Sequence, residues 1–236
     1  MSIENAIILA GGRGERLRPL TSDRPKTMIE VAGYPLLYHN IQWLKKFGIK
    51  TVTISCGYHH EVIREYFRDG QELGVQVIYS VEDRPLGRGG GIKLAGQVLA
   101  DSKEPVLVIN GDTLTDLSLT DLFSYHFSSG VIATMVIVKL RSPYGIVQCD
   151  YGNYVTHFTE KPELPYWINA GIYLINHKLL PEFPDIGDHE ETLFPRLAQE
   201  HKLKAYKYTG FWKTVDTAKD LADLTSEMNP SQTEGT

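Results

Sequence analysis

The chain has 236 residues, of which 42% are hydrophobic and 22% charged, and its formal net charge is -5. That length suits one large domain of average globular composition, able to bury a core without disulfide or metal staples. The lack of a global basic excess excludes a general nucleic-acid binder, whose affinity rests on neutralising phosphates.

In chain order, Ala6-Ile7-Ile8-Leu9-Ala10 is a continuous apolar run ending in glycines, the pattern of a buried parallel strand. Tyr34–Phe47 sets Leu37, Ile41, Leu44 and Phe47 at helical spacing and stops at Gly48. Thr51–Ser55 reads as a second strand and Val75–Ser80 as a third. Between them, Glu61–Arg68 reads as a helix burying Val62, Ile63, Tyr66 and Phe67. A helix over Gly91–Leu99 and a strand over Val106–Ile109 continue the alternation. That order implies a mostly parallel sheet with helices on both faces. Beyond residue 112, Val131–Leu140, Gly145–Cys149 and Tyr154–Thr159 are strand-like and joined by short polar turns. They predict an antiparallel addition to the same sheet, since no Pro/Gly/Ser linker divides the chain. A helix over Glu190–His201, a strand over Ala205–Tyr208 and a helix over Thr217–Met228 close one domain, residues 1–228. The polar residues 229–236 read as a flexible tail.

Cys56 and Cys149 cannot make a disulfide framework and, lying in apolar runs, are expected as buried thiols. The N-terminal residues lack the basic start of a signal peptide, and the apolar run Val131–Val138 is too short to span a bilayer. The expectation is a cytoplasmic protein without a membrane partner. His59, His60, His126 and His157 show no metal-ligand spacing, and Trp43 and Trp167 read as core or rim.

The most informative segment follows the first strand. Glycines there let backbone N–H groups wrap an anion without side-chain obstruction. Between positions 13 and 26, five basic residues (Arg13, Arg16, Arg18, Arg24, Lys26) face two acidic ones (Glu15, Asp23). A globally acidic chain thus carries a local basic excess beside a glycine turn, which suits a polyanionic small molecule. Leu17 stands where a dinucleotide fingerprint needs glycine, and Arg16-Leu17-Arg18 does not supply the Gly-Lys-Ser/Thr of a P-loop.

Leu9-Ala10-Gly11-Gly12-x-Gly14-x-Arg16-Leu17-x-Pro19-Leu20-Thr21, with Pro25-Lys26 just after, resembles the signature of the sugar-1-phosphate nucleotidyltransferases. Further pieces fall in that family's order: Glu82-x-x-Pro85-Leu86-Gly87, Gly111-Asp112, Glu160-Lys161-Pro162, Asn169-Ala170-Gly171-Ile172-Tyr173 and Phe211-Trp212. The chain is closest in feel to short mannose- or heptose-1-phosphate guanylyltransferase-like members. The resemblance implies a single-domain, Rossmann-like (GT-A-like) α/β fold with a mostly parallel mixed sheet and an antiparallel sugar-binding addition. It implies transfer of a nucleotidyl group from an NTP to a sugar 1-phosphate, releasing pyrophosphate. The nucleophile is already an anion, so the site needs cations rather than a general base: Mg²⁺ on carboxylates, with Arg and Lys side chains.

By resemblance, Asp112 and Asp216 hold the Mg²⁺, and Arg16 and Lys26 neutralise the triphosphate. Leu9, Ala10, Gly11, Gly12, Arg13 and Gly14 with Glu82, Pro85 and Gly87 bind the nucleotide, and Gly145, Glu160, Lys161 and Asn169 bind the sugar phosphate. A carboxylate at Glu82 suits the two-donor edge of guanine, which favours GTP and leaves UTP, CTP and dTTP open. The chain departs from the family at two places. Thr214 stands where Trp-x-Asp would put its aspartate, leaving Asp216 two positions later, and Arg88 replaces the usual threonine. Asp216 could instead cap the helix that follows, and Asp112 could be a turn aspartate.

Two other readings stay open: a catalytically silent sensor of nucleotide sugars, and a glycosyltransferase, although Asp112-Thr113-Leu114 lacks the Asp-x-Asp of the latter. Transfer to a non-sugar alcohol phosphate is disfavoured by Glu160-Lys161-Pro162 and Asn169-Ala170-Gly171. No hexapeptide repeat is present, so a β-helix extension is not expected, and a homo-oligomer is open.

Overall fold

The computed structural model describes residues 3–99 and 102–228, so the tail expected over 229–236 lies outside the described residues. Apolar strands alternate with helices through the first half. They are β1 (Asn5–Leu9), the short pair β2 (Glu30–Val31) and β3 (Tyr34–Pro35), α1 (Leu36–Lys46), β4 (Thr51–Cys56) and α2 (His60–Phe67). β5 (Gln76–Val81), α3 (Gly87–Gln97) and β6 (Val106–Asn110) follow. The second half comprises β7 (Thr113–Thr115), α4 (Leu119–Ser129), β8 (Ala133–Arg141), β9 (Ile146–Cys149), β10 (Val155–Thr159) and β11 (Glu163–Ile175). It ends with α5 (Leu193–Gln199), β12 (Leu203–Lys207), β13 (Trp212–Thr214) and α6 (Ala218–Met228).

Seven strands form one sheet in the order β12-β8-β11-β6-β1-β4-β5. β6, β1, β4 and β5 run parallel, as do β8 and β12, while β11 pairs antiparallel with both β6 and β8. Within this sheet, therefore, β11 alone is reversed. Both faces are covered, and the period-2 geometry of a strand shows how. Along β1, Ala6 and Ile8 enter a core that also holds Leu37, Ile41, Ile63, Leu119 and Leu122 from α1, α2 and α4. Ile7, between them, enters the opposite core with Ile92 and Ala95 of α3 and Leu193, Phe194 and Leu197 of α5. A third apolar cluster joins Leu17 and Ile29 to Leu114, Val215 and Leu224, and so packs the loop after β1 onto β7 and α6.

The alternating first half matches the sequence reading within a few residues, and several details are corrected. In α2, Ile63 and Phe67 are buried but Tyr66 is exposed, because only one stripe of that helix meets the sheet. α3 begins at Gly87 rather than Gly91, and the helix expected over Glu190–His201 spans only Leu193–Gln199. α4 was not expected, although Ser118 accepts from the Asp121 N–H as its cap and Gly130, at φ +66°, ends it. The antiparallel addition divides: of its three expected strands, β8 joins the main sheet while β9 and β10 form a separate two-stranded ribbon, and β11, which pairs with β8 and β6, was not expected. Cys56 is buried, and burial pushes its thiol up to about 12, whereas Cys149 is exposed because the ribbon has no second layer over it.

The reversal of β11 brings Gly171 against β6. Gly171 sits at φ +71°, and a Cβ there would collide with the Asn110 amide. Gly171→Ala is expected to lower the unfolding free energy by about 1–3 kcal/mol, read by urea denaturation. A loss below about 0.5 kcal/mol would show that β11 accommodates the side chain without strain.

Candidate active site

A cavity of about 590 Å³ opens at the carboxyl ends of the parallel strands. Leu9, Ser55 and Asn110 line it from the ends of β1, β4 and β6, and Glu82 from just beyond β5. Parallel sheets bind ligands at this edge, where strand ends diverge into loops. Thr27 Oγ1 and Asn110 Oδ1 are buried polar atoms without a protein hydrogen-bond partner, and both residues line the cavity. Such orphaned groups carry a desolvation cost that a polar ligand would offset.

The loop after β1 doubles back on itself. The Lys26 N–H donates to Gly12 O at 3.4 Å, and Thr21 Oγ1 donates to Gly14 O at 2.9 Å. Gly14 sits at φ +63°, where a Cβ would lie 2.9 Å from Thr21 Cγ2 and 3.0 Å from Lys26 Cβ. Only glycine lets the loop close this tightly over Lys26. Arg13 lies over the Tyr58 ring, 5.8 Å from its centroid.

Lys26 Nζ donates to Asp112 Oδ2 at 2.5 Å and to Asp216 Oδ1 at 2.7 Å. Arg16 Nη2 donates to the same Asp216 oxygen at 2.8 Å. The two aspartates meet because β7 and β13 pair antiparallel, Thr113 opposite Thr214, with the Val215 N–H donating to Asp112 O. Asp216 does not cap α6. Thr217 and Asp220 do so reciprocally: Thr217 Oγ1 accepts from the Asp220 N–H, and Asp220 Oδ2 accepts from the Thr217 N–H. The Asp216 carboxylate is thereby left to Lys26 and Arg16.

Burial disfavours the Lys26 charge, yet the charge of Asp112 and the hydrogen bonds to Asp112 and Asp216 outweigh it and hold the ammonium above its ordinary value. Burial likewise opposes the Asp216 carboxylate. The Lys26 hydrogen bond and charge, with the charge of Arg16, outweigh it and hold the carboxyl below the usual range.

Among the described residues, no group of three or more His, Cys, Asp or Glu side chains is placed to hold a metal. Two carboxylates closing on one cation are nevertheless the donor set that Mg²⁺ takes, its other positions going to water and substrate phosphates. The residues present fit that ion.

Also on the cavity wall, Glu82 Oε1 accepts from Ser55 Oγ at 3.2 Å and Oε2 from the Leu86 N–H at 3.1 Å. Arg88, which the sequence left without a role, pairs with Asp188 at 2.7 Å and lies 3.1 Å from Glu190.

Of the residues singled out in the sequence, Leu9, Gly11, Gly12, Arg13, Lys26, Glu82, Pro85, Gly87 and Asp112 line the cavity. Asp216 joins them through Lys26 and Arg16 through Asp216, while Ala10 is buried in the core with its N–H donating to Ser55 O and Gly14 lets the loop close. Gly145, Glu160, Lys161 and Asn169 do not line it. Glu160 sits beside Gly145, where a Cβ would lie 2.9 Å from Oε2, and Lys161 takes a left-handed φ of +45°. Asn169 Nδ2 donates to the Tyr173 hydroxyl at 2.7 Å, and its Oδ1 accepts from the Gly171 N–H. Ser55, Tyr58, Asn110 and Asp188 also line the cavity and were missed. Ser55 and Asn110 end apolar strands, a signal that could have found them; Asp188 carries none.

The family model described as Nucleotidyl transferase matches residues 5–230. The mannose-1-phosphate guanylyltransferase catalytic subunit beta of Drosophila melanogaster is 36% identical over 222 residues, covering 92% of this chain and 60% of that protein. The mannose-1-phosphate guanyltransferase of Gibberella zeae is 34% identical over 224 residues, covering 91% of this chain and 61% of that protein. The chain thus spans about 60% of the length of these relatives. HddC from Yersinia pseudotuberculosis, 25% identical, shares the fold with a TM-score of 0.75, covering 96% of this chain and 100% of that one.

The charge cluster has a defined pH signature. The raised lysine stabilises the fold below its ordinary value and loses that contribution as pH rises through its folded-state value. The lowered Asp216 contributes above its ordinary value, and that contribution fades as pH falls through its folded-state value. The stability difference between wild type and Lys26→Met should therefore be widest on the plateau between them and narrow at both ends. Denaturation from about pH 3 to about pH 11 reads this, and a pH-independent difference would assign Lys26 a packing role only.

Proposed function

Because the chain belongs to the nucleotidyl transferase family, we propose that it transfers a nucleotidyl group from an NTP, GTP by preference, to a sugar 1-phosphate. The observation that carries this reading is the convergence of Lys26, Arg16, Asp112 and Asp216 at one end of the cavity. In the reaction, an oxygen of the sugar phosphate forms a bond to the α-phosphorus while the bond from that phosphorus to the bridging oxygen breaks. Pyrophosphate leaves with the bonding pair. No proton is abstracted, so the protein's task is to bring two anions together and to neutralise the charge that grows on the leaving group.

Lys26 and Arg16 supply that neutralisation from the loop after β1, whose glycines leave backbone N–H groups free to approach phosphate oxygens. Asp112 and Asp216 would hold Mg²⁺, which when bound supplies charge stabilisation at the transferring phosphate. Glu82 holds its arch through Leu86 and keeps lone pairs that guanine N1–H and its exocyclic amine could fill. The 34–36% identical relatives named as guanylyltransferases support the same base. Glu160, Lys161 and Asn169 are the side chains we assign to the sugar phosphate; the left-handed backbone of Lys161 is the kind of local strain that gathers at ligand sites. Among the described residues no helix is long and apolar enough to cross a membrane. Both substrates are membrane-impermeant anions, which fits a cytoplasmic reaction.

Pyrophosphate release from a panel of NTPs and sugar 1-phosphates tests the reading, with GTP and mannose 1-phosphate expected among the productive pairs. Release from no pair would favour a silent binding protein. Asp112→Asn is expected to lower kcat/KM by about 10²–10³-fold. Asp216→Asn should raise the Mg²⁺ concentration needed for half-maximal rate, and near-wild-type turnover at low Mg²⁺ would remove Asp216 from the site.

A further inference from the structure

The span from Glu82 to Arg88 arches along one wall of the cavity: Glu82, Asp83, Arg84, Pro85, Gly87 and Arg88 all line it. One end is fixed by the Leu86 N–H donating to Glu82 Oε2. The other enters α3, whose first five residues are Gly87-Arg88-Gly89-Gly90-Gly91. These glycines have no room for side chains. A Cβ on Gly89 would lie 2.5 Å from Pro184 Cγ, and one on Gly90 would lie 2.6 Å from Asp185 O. The close approach leaves Arg88 as the one side chain within that stretch able to anchor the arch.

Its anchorage is extensive. Asp188 Oδ1 accepts from the Arg88 backbone N–H at 2.9 Å, and Oδ2 accepts from Nη2 at 2.7 Å, so a single carboxylate grips both main chain and side chain. Glu190 Oε1 lies 3.1 Å from Nη1. The Gly187 N–H donates to Leu86 O at 2.7 Å, and the Gly89 N–H donates to Gly187 O at 2.9 Å. The opposing jaw is itself immobilised. His189 is wholly buried and its ring packs against Tyr173, Phe183 and Phe194. Burial, with the nearby Arg88 charge, pushes its pKa down to about 4, so it packs as a neutral ring.

We propose that Arg88 is a positioning residue for the nucleotide: through Asp188 and Glu190 it clasps the 82–88 arch in the shape that accepts the NTP base. This rests on the nucleotidyltransferase reading, and deepens it by naming what orders the base-binding wall. The glycines at the start of α3 supply backbone freedom, and the clasp removes it before the ligand arrives. Without the clasp, the competent arch is a fraction of the population, and apparent affinity falls by that fraction. Arg16, Lys26, Asp112 and Asp216 lie on other segments and do not contact the clasp, so chemistry on bound substrate is expected to be unaffected.

The test is GTP binding by titration calorimetry together with steady-state turnover of GTP and mannose 1-phosphate. Arg88→Met and Asp188→Asn are each expected to raise the GTP Kd and KM by about tenfold, with kcat within about twofold of wild type. The double variant should be no weaker than either single one, since both break the same clasp. Arg88→Lys, which keeps a cation and the aliphatic stem, should recover part of the loss and serves if Arg88→Met folds poorly. Unchanged Kd in the single variants, or losses that multiply in the double one, would overturn the clasp while leaving the activity intact. Wild-type protein that binds GTP but releases no pyrophosphate with any sugar phosphate would overturn the transferase reading alone. Wild-type protein that binds no NTP would overturn both.

Discussion

The ammonium of Lys26 between the carboxylates of Asp112 and Asp216 is the contact on which the rest of the site depends. Its side chain is only 12% exposed, so three charges share a partly dehydrated space. Such a group is tolerable only as a set, because removing one member leaves a buried charge without compensation. The set draws together three distant segments: the loop after β1, the turn between β6 and β7, and the turn between β13 and α6. Behind it, Leu17, Ile29, Leu114, Val215 and Leu224 form an apolar cluster from the same segments, so hydrophobic burial holds the backbones that the charges could not hold alone.

The sheet sets the stage for that convergence. Parallel strands release their loops on one edge, and the reversed β11 meets the same edge with Gly171 beside Asn110. A single antiparallel strand thereby sets Gly171 against the end of β6, whose Asn110 lines the cavity. Thr27 and Asn110 add buried polar atoms without a protein partner to the cavity wall, where a polar ligand would satisfy them.

Charge organisation follows the same logic. The net charge of -5 is a poor guide to a partner, because the chain concentrates arginine and lysine in residues 13–26 and sets carboxylates opposite. A compact polyanion can meet that local basic stretch even though the chain as a whole is acidic. Arg88 shows the complementary case: a cation beside the cavity that is spent on the protein itself, holding a glycine-rich helix start that has no side chains of its own to hold it.

Much of this was legible in the residue order. The alternation of apolar runs with helical spacing determined the α/β class and the seven major elements from β1 to β6, because burial periodicity is a local property. Gly11, Gly12 and Gly14 announced the loop, and the cavity-lining side chains nearest them followed. The capping pair Ser118 and Asp121 also carried α4, although the strand-like texture around it hid the helix. Other features were decided only in three dimensions. Asp216 could be a helix cap or a partner of Asp112 until the β7–β13 pairing and the Thr217–Asp220 cap resolved the choice. Cys149 reads as buried by its neighbours in sequence, but the ribbon that carries it has no layer packed upon it. Asp188 meets Arg88 across a hundred residues that no local pattern links. Periodicity and capping are written over a few residues, whereas charge pairing and burial depend on which distant segments the sheet order brings to one edge.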